Sequence, residues 1–341
     1  MTDRNTAITL SRITGMIFIV LCHIVEYFWF VPGHEVIGHF FDCGVPLFIF
    51  ISGYLYGLRI IRNYKRFFIK RIVSVSCPAV LVSVFTMIAL LIAGVSVSIP
   101  TVIAYLFDLE GLLFLNWSFV SRFFNQIDSL GPLWFTTIIM LCYLLIPLLQ
   151  MVYKRLVLKK IGIFIFVAVG ILICVLVKPY FELSYFLFYI IGYIAGKNEL
   201  MKKINLKWLA IYSLIVCAAI IIRLILHNFF DDTELYTTYA GLSHFVLGIW
   251  FVVLYSWLNN RFSIMFKKIS ERKVTKTLDK YSYYIFLVHG VFCMGAFNLF
   301  ELMPLHFAVL LFLVATVSFA IIIRFLSNYL VKPFRKRGYL E

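Results

Sequence analysis

The chain has 341 residues, 63% of them hydrophobic and 14% charged, a balance that excludes a water-soluble globule because no soluble core could cover so much apolar surface. A net charge of +15, from 31 Lys and Arg against 16 Asp and Glu, raises nucleic acid as a partner. Yet the basic residues sit in short stretches between apolar runs, as the positive-inside bias requires, and none is long or interleaved with aromatics, so no nucleic-acid function is expected.

The first apolar run, 8–30, is long enough to cross a bilayer and contains Arg12, His23 and Glu26. At ~100° per residue, eleven steps return His23 to within ~20° of Arg12, and Glu26 stays on the same stripe. One helix would thus carry a polar track, with Arg12 and His23 ~16 Å apart along its axis. The run lacks a small-residue cleavage site and is read as a retained helix rather than a signal peptide. A short turn, VPGHE, leads to a second span at 36–58. RIIRNYKRFFIKR (59–71) follows, basic and free of acid.

The third span is placed at 72–94. Residues 95–130 are partly apolar but interrupted, and are expected to form an outer loop with an interfacial or re-entrant piece. Further spans are predicted at 131–153, 161–177, 181–196, 208–226, 240–258, 278–300 and 306–328. With ten spans, most of the 31 basic residues fall on one side, and only Arg122 and Lys178 lie elsewhere outside a span. The predicted fold is therefore all-α, a polytopic membrane protein of about ten transmembrane helices in one domain over 1–341, with both termini cytoplasmic. Its seven cysteines occur singly, with no C-x-x-C pair, so neither a disulfide framework nor a metal site is predicted. No internal repeat points to a transporter's inverted halves.

Several segments, in order, carry a resemblance. They are Arg12 and His23 with ten residues between them, GVPLFIFISGYLYG (44–57), FFIKR followed by Pro78, GPLWF (131–135), FYIIGYIAGK (188–197) and YSYYIFLVHG (281–290). Together these resemble the acyltransferase-3 family of integral-membrane acyltransferases, many of which O-acetylate cell-surface polysaccharides. The family often has an R-x-x-R pair after its second helix. Here Arg71 is followed three positions later by Ser74, leaving Lys65, Arg66 or Lys70 to replace the second arginine.

The resemblance implies transfer of an acetyl or other short acyl group from cytosolic acetyl-CoA, as co-substrate, to a hydroxyl of a glycan or lipid-linked glycan. The enzyme would sit in the inner or plasma membrane among its lipids. Such a reaction needs an anion site, a base and stabilisation of the oxyanion. Arg12, Arg66, Lys70 and Arg71 are the candidates for the coenzyme's phosphates, against snorkelling for Arg12 and topogenic charge for the loop. His23, near mid-membrane, is the candidate base, by direct proton transfer or through an acyl-histidine. Glu26 and Asp42 compete to orient it. Ser52 donates to the thioester carbonyl or bonds its own helix, while Gly53 permits close helix packing. Trp134 walls the acyl chamber or belongs to an interfacial aromatic belt. His289 makes a substrate or a structural hydrogen bond. His34, His39, His227, His244 and His306 are expected to be structural, and Cys22, pointing ~100° away from His23, is not expected to be a nucleophile. The competing function is a transporter or flippase that uses the same stripe as a permeation path.

Overall fold

The computed structural model describes residues 6–28, 30–31, 33–112, 125–156, 184–230 and 233–336, and every regular element among them is helical. In chain order these are α1 (Thr6–Val25), α2 (His34–Phe41), α3 (Gly44–Gly57), α4 (Tyr64–Arg71), α5 (Cys77–Ile92) and α6 (Ile99–Leu106). Next come α7 (Trp134–Leu144), α8 (Ile146–Leu156), α9 (Ser184–Lys197), α10 (Leu206–Phe230) and α11 (Glu234–Arg261). The chain continues with α12 (Ser263–Glu271), α13 (Lys273–Cys293), α14 (Leu299–Leu302) and α15 (Leu305–Lys336). Six helical stretches are long and apolar enough to cross a membrane: Thr6–Val25, Tyr64–Ile92, Asp128–Lys154, Leu206–Phe230, Tyr239–Arg261 and Leu305–Phe334. The predicted span 161–177 and the start of 181–196 lie outside the described residues.

Helix breaks follow from local chemistry. Positions 36–58 are two helices, α2 and α3, separated at Asp42 and Cys43. Pro46 in the first turn of α3 has no N–H to give, so a continuous helix would lose a bond there. Pro147 acts in the same way between α7 and α8, where Leu145 N–H turns back to the Cys142 carbonyl at 3.2 Å. Between α4 and α5 the helix does not break but widens into a π-helical turn, Ile72–Ser76.

The chain divides into two compact units, 1–60 with 156–280, and 61–155 with 281–341. In the first, α3 is central, and each neighbour reaches it through glycine. A Cβ on Gly53 would meet the Tyr189 carbonyl oxygen at 2.1 Å, and one on Gly57 the Tyr193 oxygen at 2.2 Å. Reciprocally, Gly192 faces the Phe50 oxygen at 2.2 Å and Gly196 the Tyr54 oxygen at 2.1 Å. Two G-x-x-x-G faces therefore interlock, which lets backbones approach where apolar burial gives no drive in lipid. Gly15 of α1 and Gly248 of α11 make looser approaches to the start of α3. Helix α1 is also tied to α11 by Thr14 and Tyr255 hydroxyls 2.8 Å apart, and α10 to α11 by Trp250 Nε1 donating to Ser213 Oγ at 2.9 Å.

In the second unit the chain after α5 turns back beside it. Ser98 caps α6, accepting from Thr101 N–H at 3.3 Å. The segment ends at Asp108, held at φ 57, a left-handed conformation that is strained for a side-chain residue. Ser76, sixteen residues before the end of α5 and so ~24 Å down its axis, donates to Asp108 Oδ2. Residues 99–112 thus return alongside the long helix. The rest of the expected outer segment, 113–124, lies outside the described residues.

Candidate active site

Among the sequence-derived residues, Arg12, His23, Glu26, Asp42 and Ser52 belong to the first unit, and Arg66, Lys70, Arg71, Trp134 and His289 to the second.

Arg12 and His23 both lie on the unbroken α1, which preserves the ~16 Å axial spacing. Arg12 forms an ion pair with Asp279 of α13, whose side chain is fully buried while that of Arg12 is 35% exposed. His23 is in the last turn of α1. The helix ends at Val25, where Phe28 N–H closes a turn on the Val25 carbonyl at 2.9 Å. Glu26 therefore falls beyond the helix and is exposed, not on the helical stripe that the periodicity predicted.

Asp42 lies at the break between α2 and α3, close to the last turn of α1 that carries His23. It gathers partners: Cys22 Sγ donates to Oδ1 at 2.9 Å, and His244 Nε2 of α11 stands 3.7 Å from Oδ2. The unit thus assembles two imidazoles, a thiol and one carboxylate where the second span is interrupted, a place where backbone irregularity aims side chains inward. Ser52 is half-buried on α3, next to the close-packed Gly53.

In the second unit, Arg71 ends α4 with its guanidinium 5.9 Å from the centre of the Phe67 ring and 5.8 Å from that of Tyr143, cation–π distances that hold a charge against aromatic walls. Arg66 has its backbone N–H capped by Asn63 Oδ1 at 2.9 Å. Lys70 is half-buried, and its carbonyl accepts from Ser74 Oγ at 2.6 Å. Ser74, standing where the family often has a second arginine, is thus turned onto its own helix. Trp134 opens α7 half-buried, its ring edge-on to Phe135 with centres 6.5 Å apart. His289 is fully buried, its Nδ1 on the carbonyl of Phe286 one turn earlier in α13.

Three features escaped the sequence reading. Asp279 and His244 meet their partners across 267 and about 200 residues of chain, and no local pattern marks such pairs. The third is a carboxyl pair, Asp108 and Glu110, 7% and 3% exposed. Thr136 Oγ1 donates to Asp108 and stands 3.3 Å from Glu110 Oε1, and Thr137 Oγ1 donates to the Asp108 carbonyl at 2.8 Å. Glu110 Oε2 has no partner among the described residues. Burial pushes both carboxyls above the ordinary range, and the Asp108 charge raises Glu110 further. The available signal was two acids in an otherwise apolar run. Close by, Tyr283 OH donates to the Val75 carbonyl at 2.8 Å, satisfying an acceptor in the π-helical turn.

Long apolar helices, charged residues turned inward and a histidine–carboxylate cluster at a helix break define a multi-pass α-helical membrane protein with the groups for proton transfer. The family model described as "Acyltransferase domain" matches residues 5–324, nearly the whole chain, and the protein belongs to this family, acyltransferase-3. No curated protein and no solved structure matches it.

Proposed function

We propose that the protein transfers a short acyl group, acetyl in the simplest case, from cytosolic acyl-CoA to a hydroxyl of a cell-surface polysaccharide or its lipid-linked precursor, acting in the cell membrane with both termini cytoplasmic. The observation that supports this reading beyond family membership is the hydrogen bond from Cys22, the residue before His23 in the last turn of α1, to Asp42 at the interrupted span. In the reaction, the His23 imidazole takes the proton of the acceptor hydroxyl as its oxygen attacks the thioester carbonyl. The tetrahedral adduct collapses, the C–S bond breaks, and the imidazolium returns the proton to the coenzyme thiolate. Asp42 keeps the ring oriented and stabilises its charged form, the task of an acid behind a base. Within the second unit, Arg66, Lys70 and Arg71 are the basic groups for the phosphates of the donor, and Arg12 is the candidate for that role in the first.

The test is His23→Ala in membranes containing the correctly inserted protein, read by thiol release from acetyl-CoA and by mass spectrometry of surface glycans. Loss of a general base lowers the rate by about 10²–10⁴-fold. Wild-type acetylation with this variant rejects the assignment, and substrate movement without thiol release identifies a transporter instead.

A further inference from the structure

Within the first unit, lined chiefly by α10 and α11, lies a cavity of about 110 Å³. Its polar wall is made by Arg223 and His227 of α10 with Tyr236 and Ser243 of α11, and Phe40 and Leu247 are among its apolar lining. It is tied to the break that carries Asp42 by packing, since Leu247 of its lining belongs to one buried cluster with Cys43, and Ser243 precedes His244 in α11.

The guanidinium is fixed, with Arg223 Nη1 donating to Ser243 Oγ at 3.3 Å while that hydroxyl donates to the Ala240 carbonyl at 2.6 Å. Tyr236 is held by the Thr233 cap on its backbone N–H at 3.3 Å, and its ring faces His227 at 5.6 Å between centres. An arginine inside a span that turns to a cavity rather than to lipid marks a functional site by default. Apolar walls lower the local dielectric and strengthen the guanidinium's attraction for an anion. The volume is below the ~150 Å³ cavity that holds a benzene, so it suits a carboxylate or phosphate group and excludes a sugar ring.

We propose that this cavity takes the anionic group, phosphate or carboxylate, of the acceptor whose hydroxyl is presented to His23, so that the protein selects negatively charged glycans or glycolipids. The proposal rests on the acyl-transfer reading for its substrate, but the binding site stands on its own geometry.

The experiment uses the full chain in phosphatidylcholine nanodiscs with three probes: glucose 1-phosphate, methyl glucuronide and the neutral methyl glucoside. Calorimetry measures binding, and thiol release from acetyl-CoA is followed in parallel. The wild type binds at least one charged probe about tenfold or more tighter than the glucoside, Arg223→Gln erases the difference, and Arg223→Lys keeps part of it. The charged probe that wins identifies phosphate or carboxylate as the ligand. Equal affinity for charged and neutral probes in the wild type, or a charge preference that survives Arg223→Gln, overturns the site. Should Arg223→Gln fail to fold, displacement of the charged probe by inorganic phosphate in the wild type decides: no displacement overturns it. Charge-selective binding without thiol release sinks the acyl-transfer reading and leaves the cavity assignment intact. Thiol release without charge selectivity does the reverse.

Discussion

Arg12 and Asp279 form an ion pair in which the acid is wholly buried and the base keeps about a third of its side chain exposed. The two members are therefore unequal. Arg12→Ala leaves a buried carboxylate uncompensated, whereas Asp279→Asn leaves a guanidinium that reaches headgroups or water. Arg12→Ala is expected to destabilise by about 2–3 kcal/mol, Asp279→Asn by about 1 kcal/mol, and the double variant by less than Arg12→Ala alone. Thermal unfolding in detergent measures all three. Equal losses from the two single changes would show that the acid is not the buried partner.

Much of the frame was legible in the sequence because hydropathy and helical period are local. The stripe of Arg12 and His23 survives because α1 is continuous, and the glycines of GVPLFIFISGYLYG and FYIIGYIAGK turn out to face each other. What was not legible depends on tertiary placement. The break at Asp42 turns on Pro46, whose effect on a span that reads as uniformly apolar is a matter of one missing N–H. Glu26 shares the angular stripe of His23, but the helix stops one residue before it. Asp108 and Glu110 read as loop acids because nothing local says that α6 turns back along α5.

The interlocked glycines give a graded prediction. Gly53→Ala or Gly192→Ala places a Cβ within 2.2 Å of a backbone oxygen, so α3 and α9 must separate along their whole contact. A loss of about 3 kcal/mol or more is expected, as for other overpacked cores. Gly33→Ala is the control: its φ of 76 is unfavourable for alanine but nothing lies within 4 Å, so about 1–2 kcal/mol is expected. Unfolding temperatures in one detergent should rank the three variants in that order.

The Asp108–Glu110 pair predicts a pH dependence with a definite sign. Both carboxyls titrate above their ordinary range in the folded protein, Glu110 more so, through burial first and then the neighbouring charge. The folded state therefore binds more protons than the unfolded one. Stability from this pair is complete below the ordinary carboxylate range and declines as pH rises through the raised Glu110 value. Glu110→Gln keeps the shape and removes the charge, so it should raise the unfolding temperature at neutral pH and leave it nearly unchanged in acid. A variant no more stable than wild type at neutral pH would remove the pair from the stability balance.

His244 provides the sharpest check on the candidate site. Its Nε2 stands 3.7 Å from Asp42 Oδ2, on the opposite side of the carboxylate from the Oδ1 that meets Cys22. At that separation the contact is electrostatic rather than a hydrogen bond, and on the proposed reading His244 is a positioning residue that acts on His23 through Asp42. His244→Ala is expected to lower kcat by about tenfold with the KM for acyl-CoA unchanged, and His244→Gln, which keeps an N–H at similar reach, to recover most of the rate. On the reading that His244 acts through Asp42, adding His244→Ala to Asp42→Asn should lower kcat no further. Initial rates of thiol release across the four combinations measure this coupling. Strictly multiplicative losses would mean that the second imidazole works through some other group, and the carboxylate would then answer to His23 alone.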